Sequence, residues 1–92
     1  EEEPTIKPYF EDRWAQLEDA TQAPIGLSLN LLDALHERLV WFLRSLKDSD
    51  FQRTFRHPEI GTVSVDKNIA LYAWHGRHHV AHITSLRERM GW

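Results

Sequence analysis

Four of the six histidines fall within eight residues, in the stretch Trp74-His75-Gly76-Arg77-His78-His79-Val80-Ala81-His82. His75 and His79 are four residues apart, so on an α-helix they stand one turn apart on the same face. Two imidazoles at that spacing reach one metal ion, because side-chain reach matches the pitch of a turn. His78 and His82 repeat the spacing on a neighbouring line. Imidazole ligation suits zinc, nickel, copper or iron. Two histidines alone are an incomplete site, since a catalytic zinc commonly has three protein ligands and one open position. His82, His36 and His57 are the candidates for a third ligand within the chain, and a ligand from outside it is equally compatible. His82 lies two turns from His75, a long reach for a shared ion. The HExxH pattern of zinc proteases is absent, because Gly76 follows His75 where that pattern has glutamate. Hydrolysis at such a site would therefore rest on metal-activated water.

The element carrying these residues reads as a long helix from about Lys67 to Met90, with Asp66 as its expected N-cap and Gly91 as its terminator. At the helical step its seam holds Asn68, Tyr72, His75, His79, His82, Ile83, Leu86 and Met90, a stripe expected to face a core. Arg77 falls on the opposite side. Three histidines on an apolar seam each need a polar partner, and an unsatisfied one costs about 1–3 kcal/mol. One metal ion satisfies two of them together.

Upstream, Leu32, Leu35, Leu39, Phe42, Leu43 and Leu46 recur at three- and four-residue steps. They predict a first long helix from Leu27 or Ser28 to Leu46 with one broad apolar face. Residues 53–65 predict a short hairpin or irregular crossover around Pro58-Glu59-Ile60-Gly61. Tyr9 to Ala20 predicts a short helix, with Phe10, Trp14 and Leu17 as its apolar stripe. Thr21 to Gly26 reads as a loop, and Glu1 to Pro8 as an extended lead-in with a solvated acidic run.

Composition bounds the function. Ninety-two residues make one small domain or part of one, 41% hydrophobic and 27% charged, as in globular chains. The net charge of −3 argues against a nucleic-acid binder. No apolar run approaches the roughly 20 residues that span a bilayer, so no membrane partner is expected. Cysteine is absent, so the chain has no disulfide and no thiol of its own, and a cytoplasmic location follows as the expectation. The chain opens on Glu1-Glu2-Glu3 without methionine, which leads us to expect a fragment.

Leu71-Tyr72-Ala73-Trp74-His75-Gly76-Arg77-His78-His79-Val80-Ala81-His82-Ile83, followed by Arg89-Met90-Gly91-Trp92, resembles the C-terminal helix of the YfiT group in the DinB-like superfamily. Pro4-Thr5-Ile6-Lys7-Pro8-Tyr9, Leu35-His36-Glu37-Arg38 and Phe55-Arg56-His57-Pro58 resemble the same group in the same order. The resemblance implies a mainly α fold, the C-terminal half of an antiparallel four-helix bundle. Two long helices would be joined by a short hairpin or irregular crossover, with residues 1–92 as a partial bundle domain. It implies a divalent metal, zinc or nickel, held by three histidines. His75 and His79 match the two on the last helix, and the third would come from a helix upstream of this chain's first residue.

The resemblance further implies a metal-dependent hydrolase, or an S-transferase that activates a low-molecular-weight thiol, acting on a small-molecule substrate. A metal with an open position can lower the pKa of a bound thiol as well as of water. Tyr72, one turn before His75, is a weaker candidate for lining the pocket, and Arg77 is weaker still. Two amphipathic helices rarely bury enough surface alone, so the isolated chain is expected to dimerise, swap helices or leave an apolar face exposed, with a homodimer as the expected assembly. The competing expectation is a non-enzymatic helical interaction module with structural histidines, whose apolar face binds a partner helix.

Overall fold

The computed structural model describes residues 1–92. The chain is mainly α-helical, as its patterning predicts. It divides into two units, Lys7–Asp48 on one side and Glu1–Ile6 with Ser49–Trp92 on the other.

In the first unit, the single short helix expected over residues 9–20 is two helices, α1 (Glu11–Ala15) and α2 (Glu18–Gln22). The break falls at Leu17, whose ψ of 142° is extended. The backbone N–H groups of Gln16 and Leu17 close short i−3 bonds onto Arg13 and Trp14 instead of continuing the helix. Part of the expected loop at 21–26 is therefore helical. The first long helix, α3 (Ile25–Ser45), begins two residues before its expected start, directly after Pro24. No side chain caps it there. Pro24 fixes its own φ near helical values, and its carbonyl accepts from the Leu27 N–H at 3.1 Å. The helix stops at Leu46, where ψ turns to 149°.

The apolar face expected on α3 is only partly covered. Leu39, Leu43 and Leu46 are half-buried, but Leu35 is 58% exposed and Phe42 57%. Ile25, Leu27, Leu29, Leu31 and Trp41, away from that face, are exposed as well. The helix is thus apolar nearly all round at its N-terminal half, a pattern associated with burial on several sides.

The second unit is built around a hairpin. After a 3-10 turn at Asp48–Gln52, β1 (Thr54–His57) pairs antiparallel with β2 (Gly61–Ser64). The register pairs Phe55 with Val63 and His57 with Gly61, leaving a three-residue loop. Gly61 sits at φ +78°, the left-handed position such loops require. Val63 is the one buried residue of the chain, 2% exposed.

The lead-in segment docks on the outer edge of β1. Ile6 donates its N–H to the Arg56 carbonyl at 3.1 Å, and Arg56 donates back to Pro4 at 2.8 Å. The acidic run expected to be simply solvated also takes part. The Glu3 carboxylate accepts from the Thr62 hydroxyl at 3.2 Å, and the Glu1 carbonyl accepts from the Arg53 guanidinium at 2.8 Å. These bonds cover a sheet edge that would otherwise be open.

The second long helix, α4 (Val65–Met90), follows β2 without a loop. Its N-cap is Ser64 and not the expected Asp66: the Ser64 hydroxyl accepts from the Lys67 N–H at 3.1 Å. Asp66 lies in the first turn, where its charge suits the positive end of the helix dipole. The Val65 N–H also donates to the Arg53 carbonyl at 2.9 Å, fixing the helix start to the hairpin. At the far end Gly91 terminates the helix as expected, with φ +68°. Trp92 donates to Arg87 at 2.9 Å and Gly91 to Glu88 at 3.3 Å, the paired bonds of a Schellman end.

Candidate metal centre

His75 and His79 lie in the interior of α4, well away from either fraying end. At about 1.5 Å per residue, His75 stands roughly 15 Å along the helix from Val65. Continuous helix holds both Cα atoms at a fixed separation, so only the side-chain torsions remain to be set.

The two rings converge. Their Nε2 atoms are 2.8 Å apart and their centroids 4.5 Å. In a neutral pair one nitrogen donates and the other accepts, and the shared proton occupies the line between them. Two nitrogens bound tetrahedrally to zinc at the usual bond length stand about 3.3 Å apart. The rings therefore need open by only about half an ångström, with the donor ring's proton moved to its Nδ1, for both Nε2 atoms to face one cation. The donor set, two imidazoles on one rigid face, fits a borderline divalent ion.

No third histidine, cysteine, aspartate or glutamate joins the pair in a group able to hold a metal. The three in-chain candidates for that role differ. His82 is drawn to His78, with ring centroids 4.2 Å apart, against 6.1 Å from His79. His57 is engaged in the hairpin: its Nδ1 accepts from the Glu59 and Ile60 N–H groups at 3.1 and 3.4 Å. His36 lies on α3 and joins no such group.

The seam expected to face a core is open to solvent. His75, His79 and His82 are exposed, as are Tyr72, Ile83, Leu86 and Met90, with Ile83 61% exposed. The desolvation penalty that argued for a metal from sequence therefore does not act in this chain. What remains of that argument is geometric, the convergence of the two rings. Arg77 is exposed, as its position on the wheel predicts. Tyr72 is on α4 one turn before His75 and half exposed.

Sequence reasoning did not anticipate the order in the second histidine line. Trp74 stacks on His78 with centroids 4.5 Å apart and planes 19° from parallel. His78 is the one half-buried histidine of the helix. Partial loss of hydration holds its pKa below the usual imidazole value, and the neighbouring His82, His79 and His75 add repulsion to its charged form. The four-residue step from Trp74 to His78 was the available signal, since i, i+4 aromatic side chains meet on a helix.

Comparison with known proteins agrees with this architecture. A protein from Oceanobacillus iheyensis, named "Putative metal-dependent hydrolase", is 55% identical over all 92 residues. A Bacillus mycoides protein of the same descriptive name is also 55% identical over the full chain. In both cases the match takes in 53% of the relative, so this chain spans about half their length. Among solved structures, YfiT from Bacillus subtilis matches with a TM-score of 0.90 and 45% identity. The match covers 100% of this chain and 53% of that one, which is described as a probable metal-dependent hydrolase with an unusual four-helix bundle topology. A family model for the DinB superfamily matches residues 1–83, nine tenths of the sequence including the whole histidine cluster, and the chain belongs to that superfamily.

Proposed function

We propose that His75 and His79 are two ligands of a divalent metal, zinc or nickel, in a metal-dependent hydrolase of which this chain forms about half. The observation that carries the reading is the 2.8 Å approach of the two Nε2 atoms on one face of α4. The names of the relatives support the metal dependence and the hydrolase class. A third ligand comes from residues outside this chain, because no other ligating group joins the pair within it.

When bound, a divalent ion with an open position supplies Lewis acidity, enough to make water or a small thiol a nucleophile near neutral pH. The chain's own contribution is to hold the two imidazoles convergent on a capped helix. Gly76, between the two ligands in sequence, adds no side chain to the surface beside them. No carboxylate lies within a turn of either ligand in the sequence, so base catalysis from this helix is not part of the reading. The substrate is a small molecule, and transfer of a low-molecular-weight thiol uses the same nucleophile activation.

The exposure along α3 bears on assembly. Ile25, Leu27, Leu29, Leu31, Leu32 and Leu35 are all more than half exposed, a larger apolar run than a lone helix keeps in water. Further helices cover it in the working protein, and a homodimer is the form we propose for the assembly. A helical interaction module without metal remains the competing reading, favoured by that same exposed run.

Metal analysis of untagged protein separates the two readings. Stoichiometric zinc or nickel that disappears in His79→Ala supports the metal centre. A folded sample that takes up neither ion from excess overturns it and leaves the interaction module.

A further inference from the structure

His75 and His79 are satisfied by each other, and the site built on them leaves His78 and His82 unused. These two residues have the same i, i+4 spacing on the adjoining line of α4. Their ring centroids are 4.2 Å apart with planes at 61°, so the two rings are neighbours on that line, as His75 and His79 are on theirs at 4.5 Å. Trp74 lies flat against His78, at 4.5 Å between centroids and 19° between planes. That stack restricts the His78 rotamer, so less side-chain freedom is lost when the ring takes a ligand. His82 is turned away from the first pair, edge-on to His79 at 6.1 Å and 89°. The four rings thus form two pairs and not one cluster.

We propose that His78 and His82 form a second transition-metal site, separate from the His75–His79 pair and completed by water. Two imidazoles and water ligands take a borderline divalent ion, with copper(II) bound most tightly in the first-row order. An ion there stands beside the first centre, so mutual repulsion makes it the weaker of the two and the second to load. Trp74 is placed to report on it, because its indole lies against the ligand ring.

The test uses the full 92-residue chain carrying His75→Ala and His79→Ala, which removes the first pair. Alanine is the strongest helix former, so α4 persists, and circular dichroism checks this. Copper(II) chloride is titrated in, with calorimetry, electron paramagnetic resonance and tryptophan fluorescence as readouts. The expected result is one equivalent of copper with nitrogen hyperfine structure and partial quenching that Trp74→Phe reduces. Adding His82→Ala to the double variant weakens binding at least tenfold. If the double variant binds no copper, or binds it equally well without His82, the proposal is overturned; in the second case the ion sits elsewhere, at His36, His57 or the terminal amine. The outcome is independent of the first centre, whose failure would show as zinc or nickel uptake by the unmodified chain that is absent or is left unchanged by His79→Ala.

Discussion

The two long helices differ in what holds them. α4 is specified by its own ends: a serine cap, an acid in the first turn, two arginines in the last turn and a left-handed glycine closing a Schellman pair. α3 has no side-chain cap at its start and ends on an extended leucine. In exchange it carries the apolar side chains, with Leu32 at 60% and Trp41 at 69% exposure. The helix that bears the proposed metal pair is the locally determined one. A metal pair needs ring positions fixed within fractions of an ångström, and a helix stabilised by caps supplies that without depending on its neighbours. The helix that bears apolar surface depends on what covers it.

The sharpest way to break the comparison is at the ligands. His79→Ala should lower zinc or nickel affinity more than about 100-fold, since even partners behind a ligand are worth 10–100-fold. Competition with a chromophoric chelator measures it, and a loss below tenfold would remove His79 from the site.

The next effect concerns α3. Leu35→Ala should change the stability of the isolated chain by about 0.5 kcal/mol or less, because the side chain is largely in water. In the assembled bundle the same change should cost about 2–4 kcal/mol, as for a buried leucine. Urea denaturation of both forms gives the two numbers, and equal small costs would mean that nothing covers this face. Val63→Ala provides the internal reference: it should cost about 2 kcal/mol in both forms, because Val63 is already buried within this chain.

Smaller still is the cap. Ser64→Ala should cost about 1 kcal/mol by loss of the bond to Lys67, read as a drop in thermal midpoint by circular dichroism. The smallest effect has an informative sign. A Cβ on Gly76 meets nothing within 4 Å, so Gly76→Ala should stabilise the isolated chain by up to about 1 kcal/mol. If the same variant destabilises the complete protein, another element approaches α4 at Gly76.

Much of the candidate site was legible because the α-helix converts spacing into geometry. The step from His75 to His79 implied convergent rings, and the Nε2 atoms meet at 2.8 Å. Gly91 was recognisable as a terminator because few residues other than glycine adopt positive φ without strain. The N-cap was misplaced by two residues: both Ser64 and Asp66 are good caps, and the choice depends on where β2 ends. The break at Leu17 escaped the pattern because Phe10, Trp14 and Leu17 fit one helix equally well before the backbone is known.

The sequence by itself determined the long helices, the hairpin, the paired imidazoles and membership of the DinB superfamily, because periodicity, turn chemistry and motif are all local. Only the tertiary structure decided that Glu1–Ile6 borders β1, that His57 is occupied within its turn, and that the histidine seam is open to solvent. Those outcomes depend on which distant groups meet and on how much surface one chain can cover, and neither quantity is written in the spacing of residues along a single element.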